Sequence, residues 1–139
     1  MTRLLIDVNV ILDVLLDRPP HADSASLVWE AVEQGRAEGL LSAHALTTVH
    51  YLNAKAMGTR MAADATAALL SVFGVAPVDE RVLRTALALR WRDYEDAVTA
   101  AAAERSKCSV IVSRNPRDFK RSPVRVLAPA EAAAWLSLR

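Results

Sequence analysis

Short apolar runs alternate along this chain with longer stretches of helical spacing. "RLLID" (3–7) reads as a first buried strand. "VNVILDVLLDR" (8–18) carries apolar residues at 8, 11, 12, 15 and 16, the recurrence of an amphipathic helix. "HADSASLVWEAVEQGR" (21–36) starts at His21, places Leu27, Val28, Ala31 and Val32 on one face and stops near Gly35. "EGLLSA" (38–43) is a second strand. Two helical segments follow, "HALTTVHYLNAKAM" ending at Gly58 and "RMAADATAALLSVFG" ending at Gly74. "VAPV" (75–78) is a third strand, after which Asp79 caps "ERVLRTALAL". "YEDAVTAAAAERS" (94–106) is a helix feeding "CSVIVS" (108–113), the fourth strand. "VRVL" (124–127) is a fifth, and Pro129 opens a last helix, "AEAAAWLSL".

Strands of four to six residues with helices between them predict an α/β domain built on a parallel sheet. The 139 residues suit one domain, 1–139, and a composition that is 53% hydrophobic supplies its core. Asp7, Asp13 and Asp17 break the first apolar stretch, so no segment has the length and apolarity of a membrane span or a secretory leader. A soluble, cytoplasmic protein is expected, and the single Cys108 agrees with that. The formal charge of +1 excludes binding of nucleic acid by bulk charge and leaves only local patches.

In parallel sheets functional groups gather beyond the carboxyl ends of the strands. Asp7 ends the first strand. Asp93, Glu95 and Asp96 open the alanine-rich helix, and Asp96 sits where that helix enters the core. Ser113, Asn115 and Asp118 follow the fourth strand in "VIVSRNPRDF". Each has an ordinary explanation as a cap or a turn residue, Asp7 and Asp93 above all. Together, however, Asp7, Asp96 and Asp118 converge on one edge of one sheet. Packed carboxylates repel, and a divalent cation with a taste for hard oxygen ligands, Mg²⁺ or Mn²⁺, relieves that repulsion. Such an ion also activates water against a phosphodiester.

With "LLIDVNVILD", "DYEDAVTAAAAERSKCSVIVSRNPRDF" and "VRVLAPAEA" in hand, the chain resembles the PIN domain family along nearly its whole length. It looks most like the VapC-like ribonucleases that serve as toxins of toxin–antitoxin pairs. The resemblance implies a three-layer α/β/α sandwich around a mostly parallel five-stranded sheet. It implies an Mg²⁺- or Mn²⁺-dependent endoribonuclease, an antitoxin partner and a homodimer. Carried over residue by residue, Asp7, Asp96 and Asp118 match the catalytic, metal-holding acids. Asn9, Ser113 and Asn115 match supporting polar positions, with Asp93 beside them. One position departs: where the family usually has an acid in the helix after the second strand, this chain has Thr48. A hydroxyl orients water or phosphate but supplies no charge.

"SRNPRDFKRSPVR" holds Arg114, Arg117 and Lys120 beside these acids, the natural place for an RNA backbone, although a solvated basic loop explains it as well. The tryptophans are scattered and read as core or interface residues. Two functions remain open on this reading. One is an active metal-dependent ribonuclease. The other is a PIN-like module that has lost catalysis with its fourth acid and binds RNA or protein instead. Phosphoryl transfer through an aspartyl nucleophile fits less well, because Asn9 stands where a second Asp would be needed and the chain has only four glycines.

Overall fold

In a computed structural model covering Met1–Arg139, five strands form one sheet: β1 (Arg3–Ile6), β2 (Glu38–Ser42), β3 (Gly74–Ala76), β4 (Val110–Val112) and β5 (Arg125–Leu127). Their order is β3-β2-β1-β4-β5, and every neighbouring pair is parallel. The chain therefore works outward from β1 in one direction, then returns to start β4 on the other side. The crevice between β1 and β4 is the point where the winding reverses, which is where open α/β sheets place their ligands.

Side chains of a strand alternate between the two faces of the sheet. Leu4, Ile6, Val110, Val112 and Leu41 enter one apolar cluster, while Leu5, Leu40 and Ile111 enter the other. The first cluster is covered by α1 (Val8–Leu15), α2 (Ala22–Glu33), α3 (Ala43–Met57), α4 (Thr59–Val72) and α7 (Pro129–Ser137). The second is covered by α5 (Glu80–Ala88) and α6 (Tyr94–Arg105). This is the expected α/β/α arrangement. In α6 every residue from Ala97 to Ala103 is buried, so the run of alanines is a means of laying a helix close against the sheet. Of the apolar face of α2, Val28, Ala31 and Val32 are covered and Leu27 stays exposed; on α4 Leu69 is buried and Leu70 exposed.

Three boundaries differ from the pattern reading, each for a local reason. Helix α1 stops at Leu15, because Asp17 turns to φ 48°. The Asp17 and Arg18 amides then bond back to the carbonyls of Val14 and Asp13, at 3.2 and 3.0 Å, the double closure of a Schellman stop. Lys107, at φ 59°, ends α6 in the same way, with Cys108 N–H on the Ala103 carbonyl at 2.9 Å. Cys108 therefore belongs to a helix stop, and β4 begins only at Val110. Strand β3 starts at Gly74 and ends before Pro77, which has no N–H to give a ladder.

Gly39 in β2 lies close under two buried side chains. A Cβ there would stand 2.8 Å from Phe73 Cδ1 and 2.8 Å from Val32 Cγ2. Gly39→Ala is expected to lower stability by about 1–3 kcal/mol, the usual cost of overpacking a core. Urea denaturation of both proteins measures it, and an unchanged midpoint would show that α2 and α4 can shift.

Candidate active site

Asp7 is fixed from three sides. Its backbone N–H extends the sheet by donating to the Val112 carbonyl at 2.9 Å. Its Oδ1 accepts from Val8 N–H at 2.8 Å and so caps α1. Its Oδ2 accepts from the hydroxyl of Ser113 at 2.8 Å, across the β1–β4 crevice. Only 8% of the residue is exposed. Burial raises its pKa above the ordinary aspartate value, against the lowering effect of the Ser113 and Val8 hydrogen bonds; Glu95 adds a smaller upward push and His44 a small downward one.

Ser113 lies wholly buried beneath this carboxylate, and its oxygen also accepts from Asn115 N–H at 3.2 Å. Asn9, on the first turn of α1, accepts from Arg114 N–H at 3.2 Å through Oδ1. These two contacts tie the start of α1 to the loop after β4. That loop closes in a 3-10 turn, Pro116–Phe119, which carries Asp118.

Asp93 caps α6 by accepting from Asp96 N–H at 3.1 Å. Asp96 itself is half-buried, and its pKa is pushed up to about 7. Desolvation is the largest cause, followed by the negative charges of Asp7, Asp93, Asp118 and Glu95. Asp7, Asp96 and Asp118, far apart in sequence, therefore share one electrostatic neighbourhood.

Two clefts meet at Asp93 and Asp96. The larger, about 760 Å³, is lined by Trp91, Arg92, Asp93, Tyr94, Asp96, Arg117, Asp118 and Lys120. The smaller, about 300 Å³, runs past Asp7, Asn9, Arg18, Glu95, Thr99 and Arg114. Asp7 lines the smaller cleft, Asp118 the larger, and Asp96 both. No three acidic, histidine or cysteine side chains stand ready to hold an ion jointly. The donors are all hard carboxylate and amide oxygens. This suits a hydrated Mg²⁺- or Mn²⁺-like ion, held by one or two carboxylates and completed by water and substrate phosphate. It does not suit a closed protein cage.

Other expected residues fall differently. Thr48 is half-buried, lines neither cleft, and donates its hydroxyl to the His44 carbonyl of its own helix at 3.4 Å. His44, on the first turn of α3, has both ring nitrogens buried without a hydrogen-bond partner. Arg114 is drawn inward to Asp13 at 3.6 Å while still lining a shallow cleft with Arg117 and Asp118. Trp91, edge-on to Phe119 at 5.9 Å, is a cleft residue, as is Tyr94, where the pattern suggested only core or interface tryptophans. Asp13, Arg18 and Thr99 were not singled out by motif. The available signal was an acid in the middle of the apolar run of α1, with an arginine just beyond the helix stop.

The fold agrees with what comparison finds. A family model described as the PIN domain matches residues 3–117, and the chain belongs to that family. Among solved structures, VapBC2 from Rickettsia felis, bound to a DNA fragment from its promoter, superposes with a TM-score of 0.73 at 16% identity, covering 91% of this chain and 98% of that one. A toxin–antitoxin complex from Klebsiella pneumoniae gives 0.70 at 22% identity, with 92% and 98% covered. VapC20 of Mycobacterium tuberculosis, a toxin that cleaves the sarcin–ricin loop, gives 0.65 at 17% identity, with 78% and 86% covered. At these identities the likeness establishes the fold. No curated protein matches the sequence significantly.

Acid crowding makes a pH prediction. Asp96 titrates at 3.8 in an ordinary setting but near 7 in the folded protein, so between those values the folded state keeps a proton that the unfolded chain has lost. Its contribution to stability is full below the unfolded value and is lost as pH rises through the folded one. Without divalent metal, the thermal midpoint is expected to fall between about pH 4 and 7, and Asp96→Asn to reduce that fall. Melting curves in chelator test this, and an undiminished fall in the variant would contradict it.

Proposed function

We propose that this chain is a metal-dependent endoribonuclease, acting as the toxin of a toxin–antitoxin pair. The observation that carries the reading is the concentration of Asp7, Asp93, Glu95, Asp96 and Asp118 around the β1–β4 crevice, with Asp96 pushed up to about 7 by burial first and by these neighbouring charges after it. Support comes from the PIN family match and from structural relatives that include an RNA-cleaving toxin and toxin–antitoxin complexes. The same relatives support an antitoxin partner, and the family resemblance adds a homodimer and a cytoplasmic location. No helix is long and apolar enough to cross a membrane.

In this reading Asp7, Asp96 and Asp118 are the residues that would hold Mg²⁺ or Mn²⁺. When bound, the ion neutralises charge on the scissile phosphate and lowers the pKa of water. The protein's part is positioning. Ser113 and the Val8 amide fix the Asp7 carboxylate and favour its charged form. Asn9 holds the loop after β4 against α1 through its bond from the Arg114 amide, and the Asn115 amide bonds the Ser113 hydroxyl that supports Asp7. Arg117 and Lys120 line the larger cleft and attract the RNA backbone. At neutral pH a proton shared between Asp96 and solvent limits ion binding, so affinity rises with pH.

The purified protein is expected to cut single-stranded RNA with Mn²⁺ or Mg²⁺ and to stop in chelator. Asp7→Asn and Asp96→Asn should each slow cleavage by at least about 100-fold. Ser113→Ala, which removes only the hydroxyl that orients Asp7, should cost about 10–100-fold. A well-folded Asp96→Asn with full activity would sink the assignment.

A second reading, a PIN domain that binds without cutting, is favoured by Thr48 turning back on its own helix and by the lack of a ready ligand trio. Calorimetric titration separates the two. RNA binding without Mn²⁺ heat and without cleavage would select the second.

A further inference from the structure

Asp13 is a fully buried carboxylate in the middle of α1, and neither of its oxygens has an aligned hydrogen-bond donor. Two arginines approach one of them: Arg18 Nε at 2.9 Å and Arg114 Nη1 at 3.6 Å from Oδ1. The contact is one of charge, without hydrogen-bond geometry. Local structure explains the meeting. The Schellman stop at Asp17 folds Arg18 back along α1, and the Arg114 amide bonded to Asn9 presses the other guanidinium against the same helix.

A buried carboxylate that needed only neutralising would be served by one arginine. Here there are two, leaving a local net charge of one positive unit. Arg18 makes one further weak contact, from Nη2 to the Asn9 carbonyl at 3.5 Å. Both side chains remain partly accessible, at 38% and 29%, and both line the smaller cleft opposite Asp7, Glu95 and Asp96. Those acids repel a phosphate. The paired guanidiniums supply the missing attraction, and guanidinium N–H groups suit phosphate oxygens in particular.

We propose that Arg18 and Arg114 form a phosphate clamp for the RNA backbone in the smaller cleft, and that Asp13 is the positioning residue that aims both. The inference rests on the cleft receiving RNA and does not require that the RNA be cut. Binding of a fluorescein-labelled single-stranded RNA oligonucleotide, followed by anisotropy in chelator across a salt series, tests it. Arg18→Gln and Arg114→Gln should each raise Kd roughly tenfold, and the pair together should flatten the salt slope by about 0.7, one phosphate's worth. Arg18→Lys should keep the salt slope of the parent while binding more weakly. Asp13→Asn should weaken binding with both arginines present; should it not fold, the arginine variants decide. Unchanged Kd and slope in folded glutamine variants with a lowered melting temperature would overturn the clamp and leave a structural staple. So would a parent protein that binds no RNA. Arginine-dependent binding without Mn²⁺-dependent cleavage would uphold the clamp and remove the nuclease. Cleavage with an unchanged Kd in the variants would do the reverse.

Discussion

The site depends on one buried carboxylate that serves two structural masters. Asp7 ends a strand, caps a helix and receives the hydroxyl of Ser113 from the neighbouring strand. Those contacts hold it rigidly at the place where the sheet changes direction. They also favour a charge that burial opposes. The capping role is therefore no rival to a role in metal binding, since it supplies the orientation that ligation requires.

Topology brings the other acids to it. With β1 central and β4 beside it, the loops leaving both strands open onto the same crevice. Helix α6 presents Asp96 there because its alanine face packs tightly on the sheet beneath, so its first turn can stand close to the strand ends. The 3-10 turn after β4 brings Asp118 to the larger cleft. Negative charge accumulates on these segments, and basic residues stand around it: Arg117 and Lys120 outside, Arg18 and Arg114 within, balanced on Asp13.

Much of this was legible from the residues. The strands and helices follow from apolar spacing, because two-sided burial of a parallel sheet leaves an unmistakable run of apolar residues. Asp7 and Asp93 read as caps, and they are caps. The convergence of Asp7, Asp96 and Asp118 followed from strand-end logic alone. Illegible were the features decided by tertiary geometry. Arg114 read as one of a basic surface run, yet it turns inward to an aspartate about one hundred residues away in sequence. Asp13 read as an interruption of an apolar stretch, since nothing local reveals that its helix face meets two arginines. Thr48 read as a polar substitute for an acid, but a threonine within a helix readily bonds the carbonyl four residues back, and this one does. His44, not Thr48, is the side chain of α3 whose charge reaches Asp7.

A cation site at the Asp7–Asp96 pair is tested most directly by anomalous diffraction from crystals soaked in Mn²⁺. A manganese peak is expected in the smaller cleft, within bonding distance of carboxylate oxygens of both Asp7 and Asp96. A crystal that takes up manganese elsewhere, or leaves both carboxylates without it at saturating concentration and alkaline pH, would contradict it.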